Sequence, residues 1–224
     1  MSFAENGPRS LIWWEWVGDH LDLISERLQE HIYLTIVSVV LGIIMSAPLA
    51  VAATRWRRLY APLLVTGAVL YTIPSLAAFV LLLPWIKDRR TLALVVLTSY
   101  TILILVRNMV TGLDGVPADV REAASGMGYS RIRQLVQVEL PIALPAIVAG
   151  IRIATVTTVG LVTVAALIGQ GGLGDLILDG LRRDFPTPLM IGATLSVALA
   201  VLLDLVLLAT QWFLTPWARA KVRA

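Results

Sequence analysis

The hydrophobic positions of this chain fall into five long runs separated by polar intervals. The first run, residues 32–54, has no charged side chain. A helix of that length, rising about 1.5 Å per residue, crosses a hydrocarbon core of about 30 Å. The remaining runs predict spans over residues 61–85, 91–111 and 142–168, and from Pro186 or Pro188 to near Trp212 and Trp217. The pattern therefore predicts an all-α polytopic membrane protein with five transmembrane helices.

Residues 1–30 have a different pattern and are predicted to form an N-terminal interfacial segment. They lack the basic region and apolar core of a secretory signal peptide. Leu21, Ile24 and Leu28 recur at helical spacing. Three amphipathic rings suited to headgroup depth lie upstream, namely Trp13, Trp14 and Trp16. A tryptophan cage for a cationic ligand is the alternative interpretation of these rings. Residues 31–216 would then form the membrane domain and residues 217–224 a cytoplasmic tail.

One polar interval, residues 115–141, is much longer than a reversal of direction requires. Its Pro117 and Asp119 suit the first turn of a helix. The pattern predicts a helix over residues 117–125, a glycine turn at Gly126 and Gly128, a second short helix capped by Ser130 and running through Leu135 and Val138, and a stop at Leu140-Pro141. An ordinary solvated loop is the alternative, but the length and amphipathic pattern favour a docking surface.

Composition supports the membrane interpretation and removes several function classes. Hydrophobic residues make up 58% of the 224 positions and charged residues 15%, against about 45–50% and 25% in soluble domains. There is no cysteine, and both histidines lie near the N-terminus, so neither a disulfide framework nor a Cys/His metal site is expected. The net charge of +3 reflects basic residues at helix ends rather than nucleic-acid binding. Neither lysine, Lys87 or Lys221, follows a glycine-rich loop, so no phosphate-binding P-loop and no cofactor site is expected.

Polar residues within the predicted spans are candidates for a transport path or for contacts between helices. Pro74 interrupts the second span and must be buried against protein or a cavity. The candidates for lining a path are Tyr71, Thr72, Pro74, Ser75, Tyr100, Thr155 and Thr158. Hydrogen bonding between helices is the alternative role for these side chains. The rings of Tyr71 and Tyr100 could also offer faces to a cationic cargo.

Two charged residues, Arg152 and Asp204, lie at similar depth in consecutive spans. A charge at the centre of a membrane helix is disfavoured by about 2.5–3.5 kcal/mol, and such residues usually find partners. We therefore expect the two side chains to pair, as a structural clamp or as a gate. Arg107 is the competing partner for Asp204.

Residues 169–174 match the dinucleotide-binding pattern G-x-G-x-x-G by letter. They follow a predicted membrane helix rather than a β-strand, which excludes that interpretation. We expect a glycine turn at the membrane edge, movable during gating, followed by an outer segment over residues 175–184.

The polar interval resembles a known family motif. Glu122-Ala123-Ala124, Gly128, Val138 and Leu140-Pro141, in this spacing, resemble the EAA loop of ABC importer permeases, a cytoplasmic element that seats on the ATPase subunit. Val138 stands where the family usually has isoleucine. Thr72-Ile73-Pro74-Ser75-Leu76 and residues 166–174 resemble the osmoprotectant branch, which imports glycine betaine, choline or carnitine. Tyr71 departs from that branch, which more often has glutamine there.

The resemblance implies an architecture and a set of partners. It implies a five-span core of the methionine-importer type, paired with itself or a paralogous permease, an ABC ATPase dimer that binds the ATP, and an extracytoplasmic substrate-binding protein. The chain would then cross the inner or plasma membrane with its N-terminus outside and its C-terminus in the cytoplasm. That orientation puts ten basic residues inside and seven outside, in agreement with the positive-inside rule.

Three other functions are weighed against this one. An importer for an amino acid or a sugar-derived solute would share the architecture. An ion channel would conduct without an ATPase. An intramembrane enzyme would need acids, histidines or nucleophiles converging at one depth, and the sequence does not place such groups together.

Overall fold

The computed structural model describes residues 12–217, and every regular element in that range is helical. The first half of the chain forms α1 (Trp14–Asp19), α2 (Leu21–Arg55), α3 (Arg57–Thr72), α4 (Ser75–Leu82) and α5 (Arg89–Asp114). The second half forms α6 (Ala118–Gly126), α7 (Arg131–Gln134), a π turn (Leu135–Glu139), α8 (Leu140–Ala165), a 3₁₀ turn (Ala166–Ile168), α9 (Leu173–Arg183) and α10 (Pro186–Leu214). The all-α prediction is confirmed. Residues 1–11 and nearly all of the predicted tail lie outside the described residues.

Four helical segments are long and apolar enough to cross a membrane, and a bent pair makes a fifth span if counted as one. That pair is α3 and α4, which meet at an angle of 89°. Pro74 lies at the bend and cannot donate a backbone hydrogen bond, so the predicted interruption of this span is present. The prediction of five spans is confirmed in this sense.

The N-terminal region differs in detail from the prediction. Residue 30 marks no break, because α2 continues from Leu21 to Arg55 as one helix of 35 residues. Such a helix is about 50 Å long, so it extends well beyond a hydrocarbon core of about 30 Å. The short helix α1 precedes it, and the Trp13 N–H donates to the hydroxyl of Thr187 at 3.0 Å. Trp16 stacks on His20 and meets Phe185 edge to face. These contacts attach α1 to the beginning of α10. The partners of the Trp16 ring are His20 and Phe185 of the same chain.

The spans pack in a consistent order. Helix α2 lies along α5, α5 packs on α8, and α10 packs on α8 and α9. Buried Leu34, Leu97 and Val162 fill the half of the bundle nearest the end of α8. Ala50, Ala53 and Val110 fill the half nearest residues 115–141. Small residues at these crossings let the helix backbones approach closely, as in other membrane bundles.

The glycine-rich turn between α8 and α9 is a tightly packed corner. Gly169 and Gly172 have positive φ angles of 75° and 53°, which glycine adopts without steric cost. A Cβ atom on Gly172 would lie 2.7 Å from the backbone nitrogen of His31. We expected a turn that moves during gating, and the close packing against α2 does not favour that expectation. The turn packs closely against α2 and α8 and leaves no room for a longer side chain at Gly172 or Gly174.

Charged side chains tie α9 to α2 at the same end of the bundle. Arg27 bridges Asp175 at 3.1 Å and Glu30 at 3.0 Å. Burial raises the pKa of Asp175 to about 6, against the opposing effect of the Arg27 charge. The corner formed by α2, the glycine turn and α9 is therefore held by packing and by ion pairs.

Candidate functional site

The region with the most developed polar architecture is the interval over residues 115–141, which we call the coupling loop. Pro117 precedes α6, and Asp119 places a negative charge in its first turn, where the helix dipole favours it. Gly128 has a φ angle of 79°, and its N–H donates to the carbonyl of Ser125 at 3.0 Å. The predicted first helix and the glycine turn at Gly128 are present. Gly126 differs from the prediction, because it forms part of α6 rather than ending it.

The second half of the coupling loop corrects the sequence prediction. The backbone N–H of Arg133 donates to the Ser130 hydroxyl at 3.3 Å, which is the expected cap. The helix does not stop at Leu140-Pro141 but passes through the π turn into α8. A π turn changes the hydrogen-bond register just before Pro141, where the missing N–H of proline costs little. Residues 131–168 therefore form one continuous helical segment that starts in the loop and crosses the membrane.

Arg121 joins the coupling loop to the ends of two spans. Its guanidinium donates to the carbonyl of Leu113 in the last turn of α5 and lies 3.8 Å from the carboxylate of Glu139. Gln134 donates to the same carboxylate at 2.9 Å. The charge-assisted bond to Leu113 fixes α6 to the end of α5. The ion pair with Glu139 draws α6 toward the π turn that precedes α8. The sequence does not indicate this role of Arg121, since its partner is a backbone carbonyl eight residues away that only the fold brings near.

The motif residues of the coupling loop divide between its surface and its interior. Glu122 and Ala123 are exposed, whereas Ala124 is only 1% exposed and lies inside the loop. Of the two motif alanines, only Ala123 therefore lies on the surface of the loop, and the role of both in contact with an ATPase stays a prediction. Two large apolar side chains are instead exposed, Met127 at 68% and Ile132 at 77%. An apolar pair rimmed by polar residues is typical of a docking surface.

The interruption between α3 and α4 brings part of the predicted path together. The hydroxyl of Tyr100 donates to the carbonyl of Ile73, which the bend leaves without a helical partner. The rings of Tyr71 and Tyr100 have centroids 5.7 Å apart. The Thr72 hydroxyl donates to the carbonyl of Val69 at 2.7 Å. Tyr71, Thr72 and Pro74 are exposed on this face, and Ser75 is half-buried.

Thr155 and Thr158 lie elsewhere, and the structure does not join them to the break. Both are buried, and their hydroxyls donate to the carbonyls of Ile151 and Ala154 one turn back on α8, at 2.8 and 2.7 Å. Of the two roles that the sequence left open for these threonines, this placement favours packing.

Arg152 and Asp204 form a two-pronged ion pair between α8 and α10. The Nε and Nη2 atoms of Arg152 donate to the two carboxylate oxygens of Asp204, each at 2.8 Å. The side chains are 25% and 32% exposed on the bundle surface. The pairing expected from their similar depth is present, while Arg107 is exposed and the structure shows no contact between it and Asp204. In this geometry each charge neutralises the other.

Within residues 12–217, no three His, Asp or Glu side chains come together in a way that would hold a metal ion.

Comparison with known proteins agrees with this arrangement. Residues 38–216 match the family model described as the binding-protein-dependent transport system inner membrane component. The glycine betaine/carnitine/choline transport system permease protein OpuCB of Bacillus subtilis (strain 168) is 38% identical over 187 residues, covering 84% of this chain and 86% of the relative. The choline transport system permease protein OpuBB of the same organism is 36% identical over 197 residues, covering 88% and 91%.

A third relative and a solved structure extend the comparison. The osmoprotectant import permease protein OsmW of Salmonella typhimurium is 37% identical over 203 residues, covering 88% of this chain and 94% of the relative. Inward-facing structures of the MetNI methionine ABC transporter match with a TM-score of 0.76 at 22% identity, covering 88% of this chain and 98% of the matched chain. At that identity the structural likeness establishes the fold, which is the methionine-importer type that the sequence predicted.

Proposed function

Because this chain belongs to the family of binding-protein-dependent transport system inner membrane components, we propose that it is the permease subunit of an ATP-driven importer for a compact quaternary ammonium osmoprotectant. Glycine betaine, choline and carnitine are the candidate cargoes, since they appear in the names of relatives that align over most of the chain. The methionine transporter supports only the fold, so an amino-acid cargo remains an outcome of the test rather than a second proposal.

The observation that carries the proposal is the bracing of the coupling loop. Its first helix is bonded through Arg121 to the end of α5, and its second half continues without a break into α8. A force applied to the exposed face of this loop is transmitted to two spans at once. We therefore assign the exposed Met127, Ile132 and Glu122 to contact with a separate ATPase dimer, which binds the ATP. Closure of that dimer would swing the spans and open the path to each side of the membrane in turn.

The same proposal sets the orientation and the other partners. With the coupling loop in the cytoplasm, α2 and α10 run so that residue 12 lies outside and residue 217 inside. A substrate-binding protein would deliver cargo at the outer face, and a second permease, identical or paralogous, would complete the path. We place Tyr71, Thr72, Pro74, Ser75 and Tyr100 on that path, and we assign Thr155 and Thr158 to helix packing.

Uptake of labelled glycine betaine, choline and carnitine tests the cargo. The chain is expressed with its neighbouring transporter subunits in a strain that lacks other osmoprotectant importers. We expect saturable uptake of at least one of these compounds that stops when the ATPase is inactivated. Uptake of an amino acid alone would refute the proposed cargo, and conductance without the ATPase would indicate a channel.

A further inference from the structure

A cavity of about 200 Å³ lies beside the bend between α3 and α4, at the middle of α5. We call it the break cavity and define it by Gly67, Tyr71, Ile73, Ser99, Tyr100 and Leu103, which lie on its wall. It exists because α3 and α4 turn away from each other at Ile73-Pro74, so the side chains of α5 at this level are not fully covered. The cavity is therefore a direct consequence of the broken span.

The wall of the break cavity carries aromatic and aliphatic groups but no charged side chain. The rings of Tyr71 and Tyr100 are inclined at 55°. Tyr100 donates its phenol proton to the Ile73 carbonyl, which fixes the ring and increases its electron density. The Ser99 hydroxyl donates to the carbonyl of Val95 at 2.7 Å, so it has no free proton to donate to a ligand.

This chemistry distinguishes between classes of ligand. A metal ion or an anion needs oxygen ligands or free donors, and a primary ammonium needs acceptors for its protons. A quaternary ammonium group neither donates nor accepts hydrogen bonds, and its methyl groups carry a diffuse positive charge that aromatic faces attract. The break cavity matches that last class.

The size and position of the break cavity also suit a quaternary ammonium group. A volume of about 200 Å³ is large enough to hold a nitrogen with its methyl groups. Tyr71 is 45% exposed, so the polar end of such a molecule can remain outside the cavity. A second cavity, of about 110 Å³, shares Gly67, Ser99 and Leu103 and reaches Val106, about 5 Å beyond Leu103 along α5 toward the coupling loop. The two cavities together mark a route along one face of α5.

We propose that the break cavity binds the trimethylammonium end of the cargo during its passage. The inference rests on the proposed function, since it assigns the site at which the proposed cargo meets the permease. Binding is weak, because no opposite charge holds the cargo there, and weak binding allows release to the other side.

A labelling experiment tests the site directly, because the chain contains no cysteine. Ser99→Cys introduces a single thiol on the cavity wall, and Ser125→Cys introduces a matched thiol in the coupling loop. The purified permease with its ATPase, without binding protein, is treated with a small maleimide in the presence of choline. The neutral compound 3,3-dimethyl-1-butanol, which has the shape of choline without its charge, serves as the control ligand.

We expect choline to slow the labelling of Ser99→Cys about threefold or more, an effect in the range of cation–aromatic attraction. The neutral analogue should have little effect, and Ser125→Cys should not respond to either compound. Adding Tyr71→Leu to Ser99→Cys should abolish the protection, whereas Tyr71→Phe, which keeps the ring, should preserve it.

Other results would overturn the inference. Equal protection by the neutral analogue would show an apolar cavity without preference for the charge, and absence of protection by choline would show that the cavity is not a cargo site. The uptake assay separates this failure from failure of the proposed function. Import of choline without protection refutes the site alone, whereas protection without import in cells refutes the cargo and leaves the ligand preference of the cavity supported.

Discussion

The coupling loop and the helix break are both attached to α5, yet they are held in different ways. At the end of α5 nearest the coupling loop, charged side chains make the contacts, with Arg57 bridging Asp114 at 2.8 Å and Arg121 reaching both Leu113 and Glu139. Beside the middle of α5, a single phenol bonds the bend and two cavities remain open. Directional bonds hold the coupling loop to α5, whereas the break is held by apolar packing and by one phenol. We therefore expect the loop to move as a unit and the break to change shape. The difference indicates which part transmits force and which part yields to it.

The ion pair between Arg152 and Asp204 joins two spans, α8 and α10. Of the changes considered, breaking this pair should have the largest effect. Arg152→Ala or Asp204→Ala leaves one charge without its partner within a membrane span, where an unpaired charge is disfavoured. We expect the amount of folded protein in the membrane to fall several-fold. Quantitative blotting of membrane fractions and uptake per folded protein measure the two consequences.

The exchange Arg152→Asp with Asp204→Arg is the control for this pair. It should recover part of the yield, because the charges again neutralise each other. An exchange no better than the single variants would contradict the direct role of the pair. Recovery by an exchange with Arg107 instead would mean that the functional partner of Asp204 differs from the one in this structure.

Arg121→Ala should detach the first helix of the coupling loop, α6, from the spans next to it. A hydrogen bond from a charged group contributes about 1.5–3 kcal/mol, so loss of the contacts to Leu113 and Glu139 frees α6 from both spans. Cargo-stimulated ATP hydrolysis should drop roughly tenfold while the protein remains inserted. Arg131→Ala removes an exposed arginine of the same loop and should leave the activity near that of the parent. Equal losses in the two variants would indicate a general effect of charge rather than bracing.

The glycine turn of the coupling loop offers a smaller and more local test. Valine at Gly128 must adopt a φ angle of 79°, which costs an L-residue about 1–2 kcal/mol. Gly128→Val should therefore reduce coupling without reducing membrane insertion. Gly126→Ala is the matched control, since Gly126 is helical and a Cβ there meets no atom within 4 Å. Alanine favours the helix by about 0.8–1 kcal/mol, so this variant should be neutral or slightly stabilised. Normal ATPase stimulation in Gly128→Val would remove the turn from the mechanism.

Substitutions at two other glycines, Gly67 and Gly42, test how tightly each region is packed, and their difference is read only as a shift in melting temperature. A Cβ on Gly67 would meet the end of the flexible Leu103 side chain at 2.6 Å, beside the break cavity. A Cβ on Gly42 would meet the Thr101 hydroxyl at 2.1 Å in a buried helix crossing. Gly67→Ala should shift the melting temperature little, because Leu103 can move into open space. Gly42→Ala should lower it, since overpacking of a tight core costs about 1–3 kcal/mol. Equal shifts would contradict the looser packing assigned to the break.

Much of this architecture is predictable from the sequence because membrane spans impose simple rules. The runs without charge indicate the spans, Pro74 indicates the bend, and the similar depth of Arg152 and Asp204 indicates their pairing. These features depend on the position of a residue along one helix. A bilayer about 30 Å thick converts that position directly into depth.

The remaining features depend on contacts that sequence position does not determine. The partner of Arg121 is a backbone carbonyl, which has no signature in the sequence. Leu140-Pro141 has the pattern of a helix stop, but the π turn before it lets the helix continue into α8. The small size of Ala124 indicates close packing, and only the fold shows that the packing lies inside the loop rather than against a partner.

The division into a rigid loop and a deformable break can be measured by pairs of spin labels, since the chain has no cysteine of its own. One pair, Thr111→Cys with Ser125→Cys, spans the junction of α5 with the coupling loop. The other pair, Thr66→Cys with Val80→Cys, spans the break, and all four positions are exposed. Distances are recorded in the assembled transporter with and without ATP bound to a hydrolysis-deficient ATPase. We predict that the loop distance stays constant while the distance across the break changes. A loop distance that changes while the distance across the break stays fixed would contradict the account.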